Sequence, residues 1–345
     1  MPSLYQTTSL VKTISKWVGI ILGGILLIVL LYRGGKLLAA ALFPKQPDPP
    51  KVAYGKLPAI IFPDNANTTP YTFTLDTITG TLGTFPDRAN VYKTTSPVQN
   101  LLNLQNARDN LSQTTFNTGE TYINDTQYSW RDITRADKVL NMNIVSNDFT
   151  ITSNYITYPD LTPEKLIDPS IAATVVTGFL TNLNNYPLDF DPTKTATQLL
   201  TMQGTSLFAA ASVSEADVVR VDLFQKDLNK LPIMYAHPPY SSAHFLVGGI
   251  NTNEILEGTF AHQIVTNDSS TYPLITITEA YNILKQNKAY IASNYGTSND
   301  VSIKNVYLGY YMSDQKQSFV LPIYVFEGKN GFFAYVSAVS NTWIH

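Results

Sequence analysis

The sequence predicts an α+β protein: a single N-terminal transmembrane helix, then a β-rich body ending in a helix packed on an antiparallel three-stranded meander. Three observations predict it. Residues 17–32 carry no charge between basic flanks, period-two apolar alternation recurs from Tyr71 onward, and a capped amphipathic segment near 276–286 precedes three strand-like runs. The 345 residues suffice for two globular domains. Only 14% of residues are charged, and 39 Thr and 27 Asn fill the polar positions instead. With 40 aromatic residues and a formal charge of −3, the chain has the means to bury a core and lacks the signature of disorder. The absence of cysteine excludes disulfides, Cys-ligated zinc and thiol chemistry.

The anchor comes first. The uncharged run from Trp17 to Tyr32 makes a helix of ~24 Å at 1.5 Å per residue. Snorkelling of Lys16, Arg33 and Lys36 extends its reach toward the ~30 Å hydrocarbon layer. Trp17 and Tyr32 stand where interfacial aromatics belong. The apolar stretch Leu37–Phe43 prolongs the helix, so the anchor is assigned to 17–43 after a short basic N-terminus at 1–16. A signal peptide cleaved at Ala39-x-Ala41 is the competing reading, and Arg33 and Lys36 between the apolar run and that site argue against it. Gly19-x-x-x-Gly23 lets two helices approach closely, which leaves a homo-oligomer open. The basic residues near the two ends are nearly even in number. The remainder of the chain, with 18 Lys and Arg against 26 Asp and Glu, favours a signal anchor whose body lies outside the cytoplasm.

Residues 44–70 hold a proline cluster at 44–50 and read as an extended stalk. A β-rich α+β domain is expected over 71–265. Its expected elements are a strand at Tyr71–Asp76, a helix over about 98–112 using Leu101, Leu102, Leu104, Ala107 and Leu111, and two strands folded around Ser146-Asn147-Asp148. Asp168 as N-cap and Pro169 at the first position open the next helix, with Ala172, Val175, Val176, Phe179, Leu180 and Leu183 as its apolar stripe. Strands resume at Val218–Phe224 and Phe245–Val247.

The C-terminal unit, 266–345, opens with the capping box Thr276-x-x-Glu279. Ala280, Ile283 and Leu284 then share a helix face, and strands follow at Val301–Met312, Ser318–Glu327 and Gly331–Val339. Three segments carry a family resemblance: Tyr272-Pro-Leu-Ile-Thr-Ile-Thr-Glu-Ala-Tyr-Asn-Ile-Leu-Lys285, Val306-Tyr-Leu-Gly-Tyr-Tyr311 and Leu321-Pro-Ile-Tyr-Val-Phe-Glu327. Over 270–340 the chain resembles a PepSY-like domain of the kind found in YycI-type, membrane-anchored regulators of sensor histidine kinases. The resemblance implies an extracytoplasmic, non-catalytic interaction module, often in tandem. The helix near 98–112 and the strands through Tyr155 then form a candidate diverged copy.

Catalytic signatures are sparse. His237, His244, His262 and His345 lack metal-ligand spacing, so no metal or cofactor is expected, and Glu254 and Glu257 add only a weak ligand set. No GxSxG, GKS/T or GxGxxG motif occurs. Asp189-x-Asp191 and Glu254-x-x-Glu257 are acid pairs of the type a glycosidase uses, yet in a chain with 26 acids they read as solvated turns. An acidic body without a basic stripe disfavours nucleic acid. Aromatic surface remains. Both faces of the last strands are apolar, and one helix covers only one of them. Tyr307, Tyr311, Tyr324 and Phe326 are therefore the candidate partner-binding face. The expected function is a membrane-anchored, extracytoplasmic, non-catalytic binding or regulatory protein acting on a sensor kinase or envelope partner. A structural subunit of a surface assembly is the alternative, and a cell-wall hydrolase ranks last.

Overall fold

A computed structural model describes residues 4–42, 49–65, 69–158, 168–248 and 254–345. The first part of the proline cluster, 43–48, and Gly249 lie outside them. The chain divides into a unit at 1–49 and a unit at 50–345. The first is one helix, α1 (Leu4–Leu42), whose 22-residue segment Ser15–Lys36 contains an 18-residue stretch with a mean hydropathy of 2.1. That segment is ~33 Å long, enough to cross a bilayer. The helix continues past Arg33 and Lys36 because no proline or acidic residue interrupts it before Leu42.

The second unit is built on two sheets. Its first half contains β1 (Thr72–Leu75), β2 (Arg88–Thr94), α2 (Asn103–Leu111), β3 (Thr118–Asn124), β4 (Gln127–Arg131), β5 (Val139–Asn143) and β6 (Phe149–Thr152). Next come α3 (Pro169–Asn182), β7 (Ala196–Gln203), β8 (Ser206–Ala209), β9 (Val218–Leu223), β10 (Ile233–Tyr235), β11 (Ala243–Gly248) and β12 (Glu254–Phe260). The last part holds β13 (Val265–Pro273), α4 (Ile277–Lys285), β14 (Tyr290–Ser293), β15 (Asp300–Met312), β16 (Phe319–Gly328) and β17 (Phe333–Ser337).

A nine-stranded antiparallel sheet runs β3-β4-β5-β6-β12-β11-β9-β7-β8. One face packs under α2 and α3, where Ala107, Leu111, Ala172, Val176 and Leu180 meet Met142, Phe149, Phe245, Phe260 and Val221. Gly258 belongs to this face because a Cβ there would lie 2.4 Å from the Phe245 ring. Asp168 caps α3 as its position before Pro169 predicts, its carboxylate accepting from the Ser170 amide. The α2 helix is shorter than the apolar spacing predicts. Leu101 is fully exposed and Leu102 largely so, because the helix begins only at Asn103 and its buried face is Ala107 and Leu111.

An eight-stranded sheet holds the C-terminal meander. Its main path is β1-β15-β16-β17-β14, with β10 beside β15, β2 beside β16 and β13 beside β2. The capping box forms at the start of α4: Thr276 Oγ1 accepts from the Glu279 amide (3.2 Å), and Glu279 Oε2 accepts from the Thr276 amide (2.7 Å). Ala280 and Leu284 are fully buried against Leu308, Tyr324, Phe326 and Ala334. The expected three strands are present and antiparallel, but they are the middle of a wider sheet. Two strands from the 71–94 segment, one from 233–235, and β13 and β14 complete it, which long-range pairing alone decides.

The segment expected as a stalk is docked over 51–65. The Val52 amide donates to Thr271 O, the Tyr54 amide to Tyr272 Oη, and the Leu57 amide to Trp343 O. Phe62 then stacks on Tyr290 at 5.2 Å and meets Tyr311 edge-on at 4.8 Å. The sheets are joined by glutamines: Gln263 donates to Ser313 O and Gln315 O, while Gln225 donates to Gln263 O.

Candidate functional site

The four aromatics expected to form one docking face are split between two faces. Residues directly opposite on paired strands share a face, and Tyr307 pairs with Val325 while Leu308 pairs with Tyr324. Tyr307 and Tyr311 thus lie with Ile323, Val325 and Tyr335, whereas Tyr324 and Phe326 lie under α4. Tyr311, Tyr324 and Phe326 are buried, and Tyr307 is half-buried. Tyr324 donates its hydroxyl to Ile275 O at 2.9 Å, just ahead of the α4 cap. The second apolar face does need a cover, and this chain supplies it through Ile60, Phe62 and Met234.

The histidines and acid pairs occupy separate places. His262 Nε2 lies 2.8 Å from Asp189 Oδ1, and Gln225 donates to the other Asp189 oxygen. Burial pushes the Asp189 carboxyl up, but the His262 and Gln225 hydrogen bonds outweigh it and leave the carboxyl below its usual range. Asp191 instead caps a short 3₁₀ turn through the Thr193 amide. Glu254 accepts from Arg135 (3.0 Å) and Lys138 (2.8 Å), and Lys138 also lies 3.0 Å from the buried Asp132. Glu257 stands apart on an exposed position of β12, its carboxyl raised by partial desolvation against the opposing pull of Arg220. Among the described residues no group of three His, Asp or Glu side chains is placed to hold a metal ion. His345 is exposed at the last position.

His237 and His244 line one cavity, which sequence spacing does not reveal. Its volume is about 370 Å³, and Arg220, Tyr240, Thr259 and Asp314 line it too. Arg220 forms a two-pronged pair with Asp222 (2.7 and 3.1 Å), and the Tyr240 ring lies 4.0 Å from its guanidinium carbon. His244 Nδ1 is 2.9 Å from Ser241 O, and burial, reinforced by the Arg220 charge, pushes its pKa below the ordinary value. Tyr240 is shared with a second cavity of about 440 Å³ that includes Gln198, Asp222 and Tyr295. Thr259, Ala261 and Asp314 are shared with a third, of about 370 Å³, reaching Asn141 and Thr150. The three cavities are neighbours through these shared lining residues. Alternation on β9 and β11 was a usable signal, since Arg220 and Asp222 alternate with Val219, Val221 and Leu223, and His244 lies between Ala243 and Phe245.

No protein-family model and no curated protein sequence matches the chain. Two solved structures are similar over most of it. One is an uncharacterized protein from Eubacterium rectale ATCC 33656, at 11% identity over 75% of this chain and 84% of that one, with a TM-score of 0.40. The other is the YpeB C-terminal domain of Bacillus megaterium, at 10% identity over 71% of this chain and 95% of that one, with a TM-score of 0.34. Both likenesses are too remote to assign a family or an activity.

Proposed function

We propose that this chain is a membrane-anchored, extracytoplasmic binding protein without a catalytic role, with a PepSY-like C-terminal unit that engages a protein or envelope partner such as a sensor kinase. The observation that carries the reading is the pairing of one 22-residue apolar helix, preceded by basic residues, with an acidic body. The side chains best suited to hydrolysis support it as well. Asp189, Asp191 and Glu254 are each committed to a structural partner, so neither acid pair read from the sequence has both members free.

Because the chain has no cysteine, single-cysteine variants test the topology directly. Thr205→Cys, at an exposed turn between β7 and β8, is expected to react with a membrane-impermeant maleimide on intact spheroplasts. Thr7→Cys should react only after lysis. The reverse pattern overturns the reading.

A second reading, a scaffold subunit, is favoured by the outermost strands of the nine-stranded sheet. Every residue of β3 is exposed, Tyr122 and Ile123 among them, and Phe208 on β8 is half exposed. Concentration-dependent assembly of the full chain in lipid nanodiscs, abolished by Ile123→Lys, would favour it.

A further inference from the structure

Residues 58–64 cross the aromatic face of the eight-stranded sheet as a strap pinned at both ends. At one end the Leu57 amide donates to Trp343 O, and Leu57 O accepts from the His345 amide. At the other, Asn65 Oδ1 accepts from the Ile291 amide and Asn65 Nδ2 donates to Ala289 O. Between these pins, no residue of 58–64 makes a hydrogen bond to another described residue. Pro58 and Pro63 have no amide proton to give. The strap is therefore held by side chains alone. Ile60 and Phe62 turn inward while Ile61 between them is 72% exposed, the period-two alternation of an extended segment.

The contacts under the strap are specific. Phe62 sits among three tyrosines, stacked on Tyr290 at 5.2 Å, edge-on to Tyr311 at 4.8 Å and 6.5 Å from Tyr335. Ile60 packs where this cluster meets Leu57, Leu321 and Val339. The seating is nevertheless incomplete. A cavity of about 200 Å³ remains between residues 58–61 and the side formed by Tyr311, Phe319 and Leu321. Tyr311 Oη is buried without a hydrogen-bond partner, with Ser313 near it but outside bonding geometry. Ser337 Oγ, opposite Ile323 on the same face, is also buried and without a partner. A buried hydroxyl left unbonded weakens the closed arrangement that buries it.

We infer that this tyrosine face is a docking groove for an extended segment of a partner protein, and that the strap is its intrachain stand-in. The inference rests on the binding role proposed above and names the partner's chemistry. The seated strap selects that chemistry: a branched aliphatic residue, one outward residue and a phenylalanine on an extended run flanked by prolines. A helical segment does not suit the groove, because residues two apart on a helix do not share a face. A short tether keeps the strap at roughly millimolar effective concentration. A partner displaces it by filling the cavity and bonding the Tyr311 and Ser337 hydroxyls that the strap leaves unpaired.

The test is fluorescence anisotropy of a labelled peptide copying residues 58–64, titrated with the full chain in lipid nanodiscs. The double variant Ile60→Ser, Phe62→Ser, whose own strap no longer fits, is expected to bind the peptide saturably and at least tenfold tighter than the parent. Saturating peptide should also raise that variant's melting temperature. A control peptide with serine at both inward positions should bind neither chain. The milder variant Phe62→Ala repeats the titration with an expected gain of at least threefold, so a double variant that fails to fold does not end the test. Absence of binding to the folded variants overturns the inference. So does equal affinity of parent and variants, or equal binding of the control peptide. Dimers of the parent that the peptide dissociates would make a second copy the occupant and overturn the partner protein. None of these outcomes depends on which side of the membrane the body lies, so failure here is distinct from failure of the maleimide labelling.

Discussion

At the residue scale, the most demanding feature of the body is the buried cation at Lys138. Its side chain is 4% exposed and faces Asp132, whose side chain is fully buried, and Glu254. Removing one partner of such a cluster leaves an uncompensated buried charge, at about 3–5 kcal/mol. Lys138→Ala should therefore unfold at far lower denaturant than the parent. For Asp132, burial pushes the carboxyl up, while hydrogen bonds from Thr115 and Thr134 and the Lys138 charge outweigh it and hold the carboxyl low. A depressed carboxyl gives stability that is complete above its unfolded value near ~3.9 and is lost as pH falls through the folded value. Denaturation followed from pH 5 to pH 2 should show that loss in the parent and a shallower one in Asp132→Asn. Equal slopes would remove Asp132 from the acid response. Sequence order hides this cluster, because Glu254 is 116 residues from Lys138 and only the β5–β6–β12 pairing unites them.

At the element scale, α4 was legible almost residue by residue. The capping box fixes its start, and the 3.6-residue period selects Ala280 and Leu284 for burial. Leu284→Ala should cost about 2–5 kcal/mol through lost burial and the cavity left behind. Gln286, exposed at the C-cap, should tolerate alanine within about 0.5 kcal/mol. Paired urea titrations decide it, and equal costs would sink the assignment of the packed face. The α2 helix shows where periodicity misleads. Leu101 and Leu102 fit the apolar stripe of 104, 107 and 111, yet they precede the first helical turn and point to solvent. Local pattern cannot distinguish a helical residue from an apolar neighbour one turn upstream.

At the scale of the whole molecule, the segment at 51–65 is part of the fold. Residues 51–57 hydrogen-bond to β13 and the C-terminus, and Phe62 covers the aromatic face of β14, β15 and β17. Phe62→Ala should lower stability by about 2–3 kcal/mol, somewhat less than a fully buried phenylalanine, and thermal melting of the full chain checks it. No change in melting would return 51–65 to the role of a free stalk. The same coverage explains how the second apolar face of the meander is packed within this chain.

The sequence by itself determined the apolar N-terminal helix, the mixed α+β character, both capped helices and the C-terminal strand order. Each rests on local physics: uncharged length, hydrophobic period, and side chains that satisfy the first amides of a helix. Tertiary structure alone decided which strands share a sheet and which faces are covered. It placed Tyr307 and Tyr311 opposite Tyr324 and Phe326, because register between β15 and β16 sets the shared face. It also aligned Ser129 with Asp222 across six strands through pairings up to 109 residues apart, as between Thr150 and Thr259. Such contacts depend on loop closure and sheet order, which a single chain's local pattern does not encode.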